Sequence, residues 1–178
     1  VRLVGSEMCI RDSSIVAAST IYIIALSFIQ TAVIIAASAF LGAGLPSLSG
    51  LLAIALIVFL VVLGMTALSL GLAFALPGHI ELIAVIFVTN LPLLFASTAL
   101  APLSFMAGWL KIIASLNPLT YAIEPIRYIY FNPDWSFNSL VLSTPWLNFS
   151  LLGVILVLLA FDAIILLTVQ PLLRRRFA

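Results

Sequence analysis

The stretch LLAIALIVFLVVLGMTALSLGLAFAL, residues 51–76, decides the architecture, because it holds neither a charged residue nor a proline. A bilayer core about 30 Å thick is crossed by about 20 apolar residues wound as a helix, and this run exceeds that length. Toward the N-terminus it is preceded by Gly42-Ala43-Gly44-Leu45-Pro46-Ser47, a turn rich in helix breakers. Before that turn comes a second uncharged run, residues 14–41. Toward the C-terminus, Pro77-Gly78-His79 ends the first run, residues 82–100 form a third that meets Pro102, and residues 149–170 form a fourth. The expected fold is therefore all-α and integral to a membrane, with four transmembrane helices. None of the runs alternates polar and apolar positions as barrel strands do.

Composition points the same way. The 178 residues are 65% hydrophobic and 7% charged, with mean hydropathy +1.36. Soluble domains are roughly 45–50% apolar and about 25% charged, so polar side chains are too few here to cover a water-facing globule. A soluble enzyme or soluble binding module is excluded. A net charge of +1 gives no basic footprint for nucleic acid. One cysteine and one histidine cannot build a disulfide framework, a thiolate metal site or a histidine-based acid–base centre.

Orientation follows from Arg174, Arg175 and Arg176, just past Pro171. This cluster puts the C-terminus in the cytoplasm by the positive-inside bias. Four crossings then return the segment before Ser14 and the 77–81 loop to the cytoplasmic side, and leave residues 42–49 and 101–148 outside. Lys111 and Arg127 lie on that outer side, but two separated charges weigh less than a cluster of three. Residues 1–13, VRLVGSEMCIRDS, stand apart, with four of the thirteen charges and the only cysteine. They resemble translated adapter sequence that recurs at the ends of unrelated proteins, and are set aside as a non-native leader. The alternative is a genuine cytoplasmic loop entering the first span.

Residues 101–148 are too apolar for a plain loop. Phe105, Met106, Trp109, Leu110, Ile113 and Leu116 recur at helical spacing. Asn117-Pro118 then pairs a favoured N-cap with a favoured first helical residue, ending one helix and starting another. On the second helix Glu124 and Arg127 stand three positions apart, in reach of each other, and Pro125 is expected to kink or divide it. Carrying Lys111, Glu124 and Arg127 to a bilayer centre would cost about 2.5–3.5 kcal/mol each. A re-entrant helical hairpin over residues 102–131 avoids that cost, with Tyr128, Tyr130, Phe131, Trp135 and Trp146 as an interfacial aromatic belt.

The run Leu91-Pro92-Leu93-Leu94-Phe95-Ala96-Ser97, then Ala101-Pro102, Met106-Ala107-Gly108-Trp109-Leu110, Asn117-Pro118-Leu119-Thr120-Tyr121 and Glu124 to Arg127 resembles ABC-2 type transporter permeases, in particular the daunorubicin-resistance-type exporters. The resemblance covers residues 14–178 and implies that the four spans correspond to the third to sixth helices of a six-helix permease, with an extracellular re-entrant hairpin before the last. Residues 14–178 are then a C-terminal membrane-domain fragment lacking the first two helices, the amphipathic entry helix and most of the coupling loop. Ala107 and Pro125 depart from the family pattern, which usually has a proline at the first position and another residue at the second.

The same resemblance implies an ATP-driven exporter subunit in a bacterial cytoplasmic (inner) membrane. It would work by alternating access with a second permease copy, identical or not, amid membrane lipid and with no nucleic-acid partner. The chain has no Gly-x-x-x-x-Gly-Lys-Ser/Thr loop. It is thus expected to be no enzyme and to bind no cofactor, with ATP and Mg held by a separate ATPase subunit. An amphipathic, drug-like or lipid-like cargo suits the apolar spans. The rivals are a polysaccharide or lipid-linked glycan exporter of the same superfamily, and a non-catalytic scaffold or channel subunit.

Few residues are candidates for function. Asn117, Pro118, Glu124 and Arg127 carry the family motif and a candidate outer gate, against a purely structural pairing of Glu124 with Arg127. His79 and Glu81 lie in the short inner loop that would touch the ATPase, against an ordinary solvated turn. Asp162 is an intramembrane carboxylate and so a functional candidate, against a packing role with a partner such as Gln30 or Asn90. Ala67, Gly71 and Ala75 form a small-residue row that permits close helix packing.

Overall fold

A computed structural model describes the backbone of residues 2–42 and 44–177, and the side chains of residue 14, residues 16–42 and residues 44–171. The Arg174–Arg176 side chains and those of the leader lie outside the described residues. The chain forms α1 (Arg2–Phe40), α2 (Leu48–Ala75), α3 (His79–Phe95), a 3-10 turn (Leu103–Phe105), α4 (Gly108–Leu116), α5 (Pro118–Phe131), strands β1 (Leu140–Ser143) and β2 (Asn148–Ser150), and α6 (Leu151–Phe177). Three stretches are long and apolar enough to cross a membrane: Val16–Phe40, Leu48–Ala75 and Leu151–Pro171. This is a mostly helical, multi-pass membrane protein.

Local chemistry sets the helix ends. After α1, Gly42 and Gly44 take positive φ of 87° and 81°, a conformation that glycine adopts without steric cost. Ser47 then caps α2, its Oγ accepting from Gly50 N at 3.2 Å. The run expected over residues 82–100 is a shorter helix, starting at His79 and ending at Phe95. It stops because its last carbonyls find partners outside the helix ladder: Ser97 Oγ donates to Leu94 O at 2.7 Å, and Asn117 Nδ2 donates to Leu93 O at 2.6 Å. The early start also moves His79 and Glu81 out of the expected loop and into the first turn of α3.

The span expected from residue 149 begins instead at Leu151, because residues 148–150 pair as a strand. β1 and β2 are antiparallel, with Leu142 opposite Phe149 and Ser143 opposite Asn148. This small ribbon is an addition to the all-α expectation. Pro125, expected to kink or divide the second hairpin helix, does not divide it, and α5 runs unbroken from Pro118 to Phe131. The lost ladder bond is tolerated because Ala122, Pro125 and Ile129 are all buried, so packing holds both halves in line.

The core is built where α2, α6 and α5 meet, around Ile54, Ile57, Ile129, Leu142, Leu151, Val154 and Leu158. Gly64 lies against Phe161 and Asp162, and Gly71 against Val169, so α2 and α6 advance together and run parallel. Of the small-residue row, Ala67 and Gly71 are buried in this seam, while Ala75 is exposed. A Cβ on Gly71 would stand 2.5 Å from Val169 Cγ2, which explains the glycine as a point of close helix approach. By contrast α3 buries none of its residues, and Ile80, Phe87 and Val88 face outward.

Candidate functional site

Parallel α2 and α6 must be joined by a chain that returns to the end where α2 began. That returning segment is α3, and its C-terminal end is met by the α4–α5 hairpin. The same end holds the start of α2, where Gly50 approaches Ile129 and Trp135, and the end of α1, where Tyr130 reaches the Gly42–Ser47 turn. The ends of α1 and α3, the starts of α2 and α6, and the hairpin are thus collected at one end of the bundle.

Asn117 is the pivot of that end. Its Oδ1 accepts from Leu119 N at 3.0 Å, capping α5, while its Nδ2 donates to Leu93 O at 2.6 Å and Ala96 O at 3.2 Å. Pro118 occupies the first helical position of α5, where a missing N–H costs nothing. One amide therefore starts one helix and closes another, 6% exposed to solvent.

Arg127 makes the second tie. Its Nη1 donates to Glu124 Oε1 at 2.9 Å, and its Nη2 donates to Thr98 O at 2.7 Å. The expected pairing of Glu124 with Arg127 is present, and the guanidinium fork also holds the segment after α3. Both residues are partly shielded, so the pair is less screened than one in open water. Ser97 and Thr98 are fully buried between these ties. Beside them Tyr121 donates to Ser115 O at 2.9 Å and meets Phe149 edge-on at 5.5 Å, and burial raises its phenol pKa above the ordinary value. Tyr130 OH donates to Gly44 O at 2.7 Å and is in hydrogen-bond contact with Ser38 Oγ.

Part of the expected aromatic belt is exposed and part is not. Phe131 and Trp146 face outward, whereas Tyr130 and Trp135 pack against the core. At the other end of the bundle, Glu81 folds back over Gly78, its carboxylate lying where a Cβ would point. His79 and Glu81 thus sit at the start of α3, far along the chain from the hairpin ties.

Asp162 is 4% exposed, and neither carboxylate oxygen has a hydrogen-bond partner among the described residues. Gln30 and Asn90, the expected partners, are both exposed and do not reach it. It packs instead against Gly64 in the α2–α6 seam. Sequence reasoning did not single out Thr98 or Ser38, and gave Tyr130 only a place in the aromatic belt. The first contributes a backbone carbonyl, which no side-chain pattern announces. The other two meet across 92 positions of the chain.

The model for the ABC-2 type transporter family matches residues 8–131, more than half of the chain. Three relatives are similar over nearly all of it, each named "Putative transport permease ycf38". That of Porphyra purpurea is 52% identical over 94% of this chain, that of Cyanophora paradoxa 46% over 92%, and that of Pyropia yezoensis 44% over 98%. The chain spans 57%, 57% and 60% of those relatives' own lengths. No solved structure matches it. A chain with apolar helices of spanning length, an Asn-Pro hairpin clasped to the preceding helix and this match along its sequence belongs to the ABC-2 type transporter permeases.

Proposed function

We propose that this chain is the membrane-spanning subunit of an ATP-driven exporter, crossing the membrane four times, with α3 as the third crossing. The observation that carries the reading is the hairpin clasp: Asn117 and Arg127 tie α4 and α5 to the end of α3, beside the α1–α2 turn. A clasp there lets the hairpin follow helix movements at one membrane face, as an alternating-access exit requires. α3 spans 17 residues, about 26 Å at 1.5 Å each. With the turn after it, this is long enough to return the chain across a bilayer core.

In this reading the hairpin is re-entrant and lies in the outer leaflet, and the C-terminus is cytoplasmic. In a bacterium the membrane is the inner one. ATP and Mg are held by a partner ATPase, which the start of α3 at His79 and Glu81 would face. A second permease copy covers α3, whose outward Ile80, Phe87 and Val88 are left exposed by the described residues. The cargo is amphipathic, drug-like or lipid-like.

The test is co-expression of the permease with its ATPase in proteoliposomes and measurement of ATP-dependent movement of a fluorescent amphipath. Reversing Glu124 to Arg or Arg127 to Glu is expected to lower transport several-fold while ATPase assembly persists, and reversing both to recover part of it. Unchanged transport in both single reversals, at unchanged protein level, removes the gate role. No ATP-dependent movement of any amphipath by the intact pair removes the exporter reading.

A further inference from the structure

A cavity of about 490 Å³ opens beside the hairpin clasp, lined among others by Ser104, Lys111, Glu124, Ser143 and Thr144. Its polar groups are unevenly used. Thr144 is satisfied within its own turn, donating to Leu147 O at 2.6 Å. The ammonium of Lys111 and the hydroxyls of Ser104 and Ser143 have no partner among the described residues. Glu124 gives Oε1 to Arg127, and its Oε2 has no partner among the described residues. Arg127 gives Nη1 to Glu124 and Nη2 to the Thr98 carbonyl. Arg127 does not line the cavity but pairs with Glu124 beside it, which leaves the Lys111 ammonium as the wall's positive charge without an ion-pair partner among the described residues.

Two idle hydroxyls beside an unpaired ammonium make a seat for a phosphate group. An unengaged carboxylate oxygen in the same wall suits a primary ammonium. The surroundings set the height of this seat. Phe105 follows Ser104, Trp109 lies two positions before Lys111, and Trp146 lies two after Thr144, and all three are exposed. Exposed tryptophans concentrate at the headgroup level of a bilayer. We infer that this cavity binds the headgroup of an aminophospholipid, its phosphate on Lys111, Ser104 and Ser143 and its amine on Glu124. The acyl chains then run past Phe105 and Trp109 into the bilayer. The inference rests on the placement of the hairpin at a membrane surface and not on the cargo or on ATP coupling.

The permease, expressed from its intact gene and purified in mild detergent, is titrated with phosphatidylethanolamine, phosphatidylcholine and phosphatidylglycerol, and bound lipid is counted by native mass spectrometry. Phosphatidylethanolamine is expected to bind best. Lys111→Gln is expected to weaken all three about tenfold, and Glu124→Gln to erase the preference for the primary amine over choline. Ser143→Ala, outside the ion pair, is expected to weaken binding a few-fold and guards against misfolding of the Glu124 variant. Equal binding of the three lipids, or a Lys111→Gln protein that binds as the wild type does, overturns the inference. Inorganic phosphate or glycerophosphoethanolamine binding with the same Lys111 dependence, without lipid binding, replaces the lipid by a soluble phosphate and also overturns it. A transport-competent permease that fails these lipid tests leaves the exporter reading standing.

Discussion

The carboxylate of Asp162 occupies the space in which a Cβ on Gly64 would stand. Glycine at position 64 and aspartate at position 162 are therefore one packing decision, made in the seam where α2 and α6 run parallel. A buried carboxylate without a hydrogen bond is costly inside a bilayer, and the missing side chain at Gly64 is what admits it.

Gly64→Ala is expected to destabilise the helix pair by about 1–3 kcal/mol through overpacking, less a helix-propensity gain of up to about 1 kcal/mol. Phe161, whose ring would stand 3.1 Å from the new methyl, limits relaxation. Asp162→Ala removes the obstacle, so the double variant is expected to be more stable than the two single changes predict. Thermal unfolding of the four proteins in detergent gives the coupling, expected at about 1 kcal/mol or more. Additive effects would show that the two residues do not share this space.

Asn117 separates two functions of one amide. Asn117→Asp keeps an oxygen to cap α5 but replaces the donor to Leu93 O and Ala96 O with a second acceptor. It is expected to leave α5 formed and to release the end of α3. Loss of an engaged buried donor costs about 1–3 kcal/mol. Hydrogen exchange should rise at residues 94–99 and stay protected at residues 120–129. Equal protection of residues 94–99 in both proteins would show that the two carbonyls do not need this side chain.

Arg127→Lys tests the fork geometry. A single ammonium cannot reproduce two parallel, separately aimed donors, so either Glu124 or Thr98 O loses its partner. The expected cost is about 1–3 kcal/mol in detergent unfolding, with faster proteolysis of the segment at residues 96–102. Glu124→Gln retains an acceptor for Nη1 and is expected to cost less than Arg127→Lys. The reverse order would make the ion pair, and not the grip on Thr98, the main role of Arg127.

Tyr130→Phe removes the hydroxyl that holds the turn between α1 and α2, at about 1 kcal/mol. Hydrogen exchange is expected to quicken at residues 38–46. Tyr128→Phe, two positions earlier and with no hydroxyl partner among the described residues, is the control and is expected to change little.

Much of this protein was legible before any folding was considered. Residues 51–76 contain nothing that a bilayer would reject, and uncharged runs of that length have few other stable fates, because backbone groups in lipid must bond within their own segment. Asn117-Pro118 announces a helix start by local chemistry alone. Glu124 and Arg127 are neighbours on any helix that contains both. Each of these features depends on residues within a few positions of one another.

What remained hidden depends on distant partners. Tertiary structure decided that α3 stops at Phe95, because the donor that takes its last carbonyls comes from Asn117, 24 positions from Leu93. It decided that Pro125 leaves α5 whole, since packing on both sides outweighs one lost ladder bond. It left Asp162 without the partner that hydropathy reasoning expects and set it over Gly64 instead. Sequence determined which segments are apolar enough to enter a membrane, because that property is solvation free energy counted residue by residue. The clasp at the hairpin and the seam between α2 and α6 belong to tertiary structure, because they are made by carbonyls and missing side chains.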